Sequence, residues 1–442
     1  MALLKRSAPR TAPAKESSAK KAKKEKPVRS DRAGSSSDSE SEESEPESVH
    51  ESEEELFEFS DDSSDDSESE DESEEQLTLQ KYIPVVLRDT PKVTPKRRII
   101  KMDDREKFTV IQTIGKGTFG KVVMVTNRMG ERKALKIFRG RYSEVNQSSK
   151  AERMMLWRLR TATHRNLATA YKVGQLVTCI AGHTQIIIIM PLLGPSLFDV
   201  MERSRRVNYD NEYSFPVDDI IAFGSQMIAA LKKLEELNIV HLDVKPANVF
   251  FSNPDLEVSL QAVKDGLFFT HCSDLRIKIG DFGSAEIISE DDEEEEAYEV
   301  QPRFYRAPEI FLGLPFTTTS DVWSIGCILC EIYTGCLLFD DVSDRPPLVS
   351  QYFMMKAVLQ QEPTQEMLEE AEENRDDRYL EICSGQEWEK DIGPFPLLKE
   401  RIREGETQAK VPELFDFIEF LLEFDPSDRP TFTDASSHSI FD

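Results

Sequence analysis

Apolar and polar residues follow two different periods along this chain. Between residues 108 and 190, apolar side chains alternate with polar ones or form short runs, which is typical of strands. Spacings of three and four residues elsewhere predict helices over Ser149–Leu159 and Asp218–Leu237. The pattern therefore predicts a sheet with one helix, followed by a region that is mostly helical. The strands predicted for the sheet are Phe108–Ile114, Lys121–Asn127, Lys133–Phe138 and Gln185–Met190.

A long interruption separates two short strands in the helical region. Val249–Phe251 and Arg276–Ile279 have the pattern of the two strands of one hairpin. The connection between them is unusually long and contains Asn-Pro-Asp and Asp-Gly turn signals. We therefore interpret residues 253–275 as a surface insertion.

Charge is distributed unevenly along the 442 residues, whose formal net charge is −28. Residues 1–32 are basic, whereas the segment from Asp38 to Glu75 has 21 acidic residues and no Lys or Arg. The acidic, Ser-rich stretch 35–75 has little apolar surface to bury, so we expect it to be disordered within a disordered tail that covers residues 1–106. A solubilising leader without a specific role is an equally open interpretation of this tail.

Composition also bears on the compartment. The sequence has no run of 18 apolar residues and no hydrophobic signal core, so we expect neither a membrane span nor secretion. Cys327 and Cys330 form a CxxC within an apolar helical pattern, which favours two buried small residues over a metal site. The basic leader and Pro95–Arg98 predict nuclear localisation. We do not expect direct nucleic-acid binding, because the acidic run would repel phosphate.

A glycine-rich turn joins the first two predicted strands. Its sequence, IGKGTFGKV, places Gly115, Gly117 and Gly120 where the backbone can approach phosphates without interference from Cβ atoms. Dinucleotide-binding turns use the same spacing, but a helix follows them. Here Val122 and a second strand follow, which favours a lid over the phosphates of ATP.

The segment His241–Asn248, HLDVKPAN, carries an acid, a cation and an amide on one short loop. Transfer of a phosphoryl group from ATP to a hydroxyl needs this set. Asp243 would accept the hydroxyl proton, Lys245 would neutralise charge on the γ-phosphate, and Asn248 would hold Mg²⁺. We interpret His241 as structural.

Lys136 lies in the middle of an apolar strand. We expect it to contact the α- and β-phosphates and to be held by a glutamate of the following helix; the alternative is an edge-strand lysine that faces water. Glu152, one turn before Met155 and Leu156, is the preferred partner, and Glu144 is the competitor.

Two further motifs follow the catalytic segment in order. Asp281-Phe282-Gly283 supplies a second metal ligand, because Asp281 and Asn248 together can hold Mg²⁺ that bridges the β- and γ-phosphates. Ala307-Pro308-Glu309 lies beyond it. Each tripeptide alone is a weak signal, but the ordered combination is specific.

The ordered motifs resemble those of eukaryotic protein kinases. The stretch QPRFYRAPEIFLGLPFTTTSDVWSIGCILCEIYTG, from Gln301 onward, is similar to the CMGC group, especially its dual-specificity tyrosine-regulated, homeodomain-interacting and LAMMER branches. The resemblance covers about residues 107–340 and returns at Leu421–Phe441. It implies an α+β, two-lobed fold, with a five-stranded antiparallel sheet and one helix in the N-lobe and a mostly helical C-lobe. We place the N-lobe with its hinge at 107–193 and the C-lobe at 194–442, with insertions near 253–275 and 343–415.

The resemblance also implies an ATP site between the lobes. Ile114, Val122 and Ala134 would contact the nucleotide, with Val122 against the adenine. Met190 would guard the back of the adenine pocket, and residues 191–193 would form the hinge. The carbonyl of Pro191 would accept from the adenine amine, and Leu193 would donate.

Other roles follow from the same resemblance. Glu309 would pair with Arg429, and Asp321 would hold the backbone of the catalytic loop. Arg303 fits the arginine that favours a proline after the target residue.

Three positions depart from the common pattern of the group. Leu242 replaces the arginine before the catalytic aspartate and cannot bind phosphate, so control by activation-loop phosphorylation through that position should be missing or rerouted. Pro302 stands where relatives have Ser or Thr. Glu299 aligns with the tyrosine that those branches autophosphorylate, and Tyr298 is one place off, so we do not expect that activation.

We expect a monomeric, Mg²⁺- and ATP-dependent protein serine/threonine kinase without membrane attachment. Eight of the ten residues 290–299 are acidic, and they either attract basic substrates, histone-like or Arg/Ser-rich, or form a solvated loop without a role in specificity. The alternative function is a pseudokinase scaffold that binds basic partners. That alternative predicts the loss of a catalytic position, yet Lys136, Asp243, Asn248 and Asp281 are all present.

Overall fold

The computed structural model describes residues 82–85, 99–101, 106–117, 120–138, 147–160, 163–170, 172–177, 184–207, 212–263, 266–288, 300–340, 346–391 and 393–442. Within these ranges the strands are β1 (Tyr82–Val85), β2 (Ile99–Lys101), β3 (Lys107–Gly117), β4 (Gly120–Thr126), β5 (Arg132–Phe138), β6 (Lys172–Val177), β7 (Thr184–Pro191), β8 (Tyr213–Ser214), β9 (Ile239–Val240), β10 (Val249–Phe251), β11 (Val258–Ala262), β12 (Phe268–Cys272), β13 (Ile277–Ile279) and β14 (Glu286–Ile287). The helices are α1 (Gln147–Leu159), α2 (Leu197–Val207), α3 (Val217–Glu235), α4 (Pro308–Phe311), α5 (Thr319–Thr334), α6 (Pro347–Leu359), α7 (Gln365–Asn374), α8 (Asp377–Ser384), α9 (Val411–Leu421) and α10 (Phe432–Ser436).

The first lobe is an antiparallel sheet with the strand order β2-β3-β4-β5-β7-β6. Alternation places one face of this sheet in a small core that contains Phe108, Val125, Leu135 and Ile187. Our prediction of five strands is wrong by one, because Ile99–Lys101 pairs antiparallel with β3. The predicted fold class, a two-lobed kinase fold, is confirmed.

The second lobe is mostly helical, and its core lies around α3, α5 and α9. Trp323 of α5 is fully buried and stacks on Phe339 with ring centroids 5.6 Å apart. The helices α5 and α9 approach closely, since a Cβ atom on Gly326 would lie 2.8 Å from the side chain of Leu422. Cys327 and Cys330 are buried in this core, as predicted. In the described part of the chain, no helix is long and apolar enough to cross a membrane.

The insertion at 253–275 has a definite structure. Its strands β11 and β12 form an antiparallel hairpin, which joins β8 on one side and β1 on the other in a four-stranded sheet. Arg132 at the start of β5 donates two hydrogen bonds to Asp255, one of them 2.9 Å long. The insertion therefore also contacts the first lobe.

The ordered region begins before the predicted boundary at Lys107. Tyr82–Val85 pairs with β11 and Ile99–Lys101 pairs with β3, although both lie in the predicted tail. The acidic stretch 35–75 and the basic residues 1–32 lie outside the described residues. The acidic segment Gln365–Asp377 forms α7 and the start of α8.

Candidate active site

A cavity of about 800 Å³ lies between the sheet and the helical lobe. Of the predicted nucleotide-binding residues, all but Gly117 line it, and Gly117 lies opposite Gly120 where β3 turns into β4. Every predicted catalytic and metal-binding residue lines the same cavity. The predicted residues that line it are Ile114, Gly115, Gly120, Val122, Ala134, Lys136, Glu152, Met190, Leu193, Asp243, Lys245, Asn248 and Asp281.

Lys136 joins the two lobes through its ammonium group. Its Nζ lies 2.7 Å from Oε1 of Glu152 on α1 and 2.9 Å from Oδ1 of Asp281. Burial opposes the charged form, but the two carboxylates outweigh it and raise the pKa of Lys136, so the lysine stays protonated. Glu152, not Glu144, therefore contacts the lysine among the described residues; Glu144 lies outside them.

Asp321 of α5 binds the backbone of the predicted catalytic loop, His241–Asn248. Its buried carboxylate accepts from the N–H of His241 at 2.6 Å and from the N–H of Leu242 at 3.0 Å. Leu242 has a φ of +59°, a left-handed conformation that is strained for a leucine. The two hydrogen bonds stabilise this conformation and so fix the orientation of the next residue, Asp243.

Asp243 is positioned by two neighbours on its own loop. Lys245 Nζ lies 2.7 Å from one carboxylate oxygen, and Asn248 Nδ2 donates to the other at 2.7 Å. The same Nδ2 donates to the backbone carbonyl of Asp243 at 2.8 Å. Both amide hydrogens of Asn248 are thus used, which leaves its Oδ1 as an acceptor for a hard cation.

Asp281 faces the cavity from the opposite side. It has a φ of +65°, and Phe282 after it is buried with its ring centroid 5.2 Å from that of His241. This contact supports the structural role that we predicted for His241. Asp281 and Asn248 offer only two side-chain ligands, and among the described residues no group of three or more His, Cys, Asp or Glu side chains could hold a metal ion. The oxygen ligands fit Mg²⁺, but the remaining positions would have to come from the nucleotide and water.

A buried ion pair anchors the segment that contains Ala307-Pro308-Glu309. Arg429 donates to both carboxylate oxygens of Glu309 at 2.9 and 2.8 Å, and neither side chain is accessible to solvent. Ser320 adds a hydrogen bond of 2.6 Å to the same carboxylate. The predicted pairing of Glu309 with Arg429 is therefore present.

Arg306, three residues after Arg303, binds the backbone of the preceding segment, whereas the proline preference expected from Arg303 stays a prediction. Gln301 has a φ of +63°, and the Arg306 guanidinium donates to its carbonyl and to that of Val300, each at 2.9 Å. Arg303 instead donates to Gln351 and lies over the ring of Phe304. The signal for Arg306 was its place directly before Ala-Pro-Glu, where the neighbouring residues are buried and a charge needs carbonyl partners.

Leu242, which replaces the phosphate-binding arginine of the group, packs against apolar residues. It forms a small apolar cluster with Val240, Val300 and Ile310, and its side chain is 1% exposed. The cluster joins the catalytic loop to the segment around Gln301 and Pro302. The acidic run 290–299, which includes Tyr298 and Glu299, lies outside the described residues.

The site has the arrangement of a phosphotransferase that acts between two lobes, and comparisons with known proteins agree. A family model described as "Protein kinase domain" matches residues 108–441. Human dual specificity protein kinase CLK2 is 29% identical over 350 residues, which cover 76% of this chain and 64% of CLK2. Serine/threonine-protein kinase AFC1 of Arabidopsis thaliana is 28% identical, with 76% of this chain and 71% of AFC1 covered. The crystal structure of the PF14_0431 kinase domain has a TM-score of 0.61 at 26% identity and covers 76% of this chain and 95% of that chain.

The chain belongs to the protein kinase domain family. The relatives also confirm the resemblance to the CMGC group. Members of the family generally use ATP and Mg²⁺ and act on protein substrates. This chain spans 64% of the length of human CLK2, which is less than two thirds of that relative.

Proposed function

We propose that this protein is an ATP-dependent protein kinase that phosphorylates serine and threonine hydroxyls. The observation that carries the proposal is Lys136, which contacts Glu152 at 2.7 Å and Asp281 at 2.9 Å at once. These contacts bring together a strand, a helix and the Asp-Phe-Gly segment from distant parts of the sequence. In kinases, both this lysine–glutamate pair and the metal-binding aspartate must be in place for transfer.

Each polar residue of the cleft has a role in this reaction. Bound Mg²⁺-ATP supplies the phosphoryl group and a charge-neutralised leaving group. Lys136 orients the nucleotide phosphates, and Asn248 and Asp281 are suited to hold the metal. Asp243 orients the substrate hydroxyl and takes its proton, while Lys245, 2.7 Å from Asp243, remains close enough to stabilise negative charge at the reacting centre.

The pseudokinase alternative is weakened by the same geometry. A binding module has no need for an acid, two cations and two metal ligands in one cavity, and burying them costs stability. All of them line one cleft here.

The finer properties of the protein are also part of the proposal. The acidic run 290–299 supports a preference for basic residues in the substrate, because opposite charges attract. The basic leader and Pro95–Arg98 support nuclear localisation. We propose a monomer without direct contacts to nucleic acid or membrane.

The test is transfer of γ-phosphate to histones and to Arg/Ser-rich peptides by the full chain with Mg²⁺ and ATP. Asp243→Asn should lower kcat by about 10²–10⁴-fold, since it removes the positioned base. Asp416→Asn, the same change at an exposed aspartate of α9 paired with Lys399, is the matched control and should leave kcat unchanged. ATP binding without transfer to any substrate in the folded wild-type protein would favour the scaffold.

A further inference from the structure

One cation at the candidate active site, Arg203, has no counter-ion among the described residues. Arg203 of α2 lines the 800 Å³ cavity together with Asp243, Lys245 and Ala247, and its side chain is partly buried. Within the described ranges, Arg203 has no hydrogen bond, ion pair or ring contact. The turn at Pro246–Asn248, against which α2 packs, provides no carboxylate for it, because Ala247 is apolar.

The acids of α2 have other partners. Asp199 accepts from the N–H and the Oγ of Ser196 at 2.9 and 2.8 Å, which caps the start of the helix. Glu202 forms ion pairs with Arg205 and Arg206. Glu202 thus pairs with the other two arginines of the helix, whereas Asp199, one turn before Arg203, lines the same cavity and is bound to Ser196.

A second cavity shows which other residues lie near Asp243, the residue that would bind the target hydroxyl. That cavity, of about 470 Å³, is lined by Val300, Gln301 and Pro302, and also by Asp243 and Lys245. Asp243 and Lys245 therefore lie where the two cavities meet. A peptide whose hydroxyl reaches Asp243 would therefore have the residues of α2 on one side of the target and Gln301 and Pro302 on the other.

We propose that Arg203 is a specificity-determining residue that binds an anionic side chain of the protein substrate, a carboxylate or a phosphate, on the α2 flank of the target hydroxyl. The guanidinium offers a planar pair of donors that matches either anion. This inference rests on the proposed kinase function and refines its substrate class.

The experiment compares peptides that have one serine and differ at a single flanking position. That position is scanned on both sides of the serine with Ala, Asp, phosphoserine and Arg, and kcat/KM is measured with the full chain at low salt. On the α2 flank the Asp or phosphoserine peptide should exceed the Arg peptide by about three- to tenfold, the range expected for a partly exposed charged hydrogen bond. The ratio of phosphoserine to Asp distinguishes a primed substrate from a plainly acidic one.

Charge reversal at the same position makes the test specific. Arg203→Glu should invert the preference between the Asp and Arg peptides, and Arg203→Gln should bring their ratio close to one. Arg206→Glu is the matched control, because Arg206 is on the same helix, is 68% exposed and does not line the cavity, so the ratio should stay at the wild-type value.

Several outcomes would overturn the inference. An unchanged ratio in Arg203→Glu, or a change only in KM for ATP, would show that Arg203 does not read the substrate. A wild-type enzyme that phosphorylates all peptides equally would refute the inference and leave the kinase function intact. A wild-type protein that phosphorylates none of them would refute the proposed function itself, and this inference with it.

Discussion

Replacing Leu242 tests whether an apolar contact holds the substrate-binding segment in place of a phosphate. The side chain of Leu242 packs against Val300 and Ile310, and Val300 leads directly into Gln301 and Pro302 at the second cavity. Leu242→Ala removes this contact but keeps the backbone hydrogen bond to Asp321. We expect the catalytic loop to remain in place and the segment around Gln301 to loosen.

The expected loss of stability in Leu242→Ala follows from the burial of the Leu242 side chain. Truncating a buried leucine to alanine costs about 2–5 kcal/mol of the free energy of unfolding, with the larger values where an empty cavity remains. Leu242 also lines the second cavity, so the new space is continuous with an existing one that includes charged residues, and water can enter it. We therefore expect a loss in the lower half of that range, about 2–3 kcal/mol.

The assay combines stability and kinetics. Chemical denaturation gives the loss of unfolding free energy, and steady-state phosphorylation gives KM for a peptide and for ATP. Leu234→Ala is the matched control, since Leu234 of α3 is also 1% exposed but lies in the main core of the helical lobe. Both variants should lose stability, whereas only Leu242→Ala should raise KM for the peptide, by about three- to tenfold if roughly 1 kcal/mol of the lost contact is needed for substrate binding. Leu242→Met, which conserves volume, should restore it.

Two results would refute this reasoning. The first is a KM for the peptide that rises equally in Leu242→Ala and Leu234→Ala. The second is a loss of activity when the wild-type protein is treated with phosphatase, because a segment held by apolar packing needs no phosphate.

Two further predictions concern buried charges in the helical lobe. Burial raises the pKa of Glu331 from 4.5 to about 6, so this residue stabilises the folded protein below pH 4.5 and the contribution is lost as the pH rises through 6. The control is Glu331→Gln, which can still accept from the Tyr305 hydroxyl. Between pH 4.5 and 7.5 the free energy of unfolding of the wild type, measured by denaturant titration, should fall by about 2 kcal/mol more than that of the control. Parallel pH profiles of the two proteins would contradict this. Arg429→Met leaves Glu309 buried without its counter-ion and should cost about 3–5 kcal/mol, whereas the double variant with Glu309→Leu should cost less than the single one by the same measurement. A double variant that is less stable than Arg429→Met would contradict the assignment of that cost to the uncompensated charge.

The nucleotide side of the cleft was predictable because its residues belong to local patterns. Lys136 is conspicuous as a cation in an apolar strand, and Glu152 lies one turn before Met155 and Leu156, on the inward face of its helix. Their contact at 2.7 Å agrees with the preferred pairing, while the competitor Glu144 lies outside the described residues.

Other features depend on contacts that no local pattern encodes. Tyr82–Val85 is a four-residue strand that contains a proline, and its partner β11 lies in an insertion far along the chain. The place of Arg306 before Ala-Pro-Glu is a sequence signal, but only the left-handed turn at Gln301 shows which carbonyls it binds. Arg203 is an ordinary helix cation in sequence, and only the structure shows that the described part of the chain offers it no counter-ion.

The pairing of β1 with β11 has a consequence for how the protein is made. Tyr82 lies opposite Gln261 in the register, so β1 leaves the ribosome long before its partner exists. At about 5–20 residues per second, the intervening stretch of about 180 residues takes roughly 10 to 35 s to synthesise. During that interval the whole first sheet, from β2 to β7, can form, while β1 waits as an unpaired edge segment. The first of the described strands is therefore among the later ones to complete its hydrogen bonds.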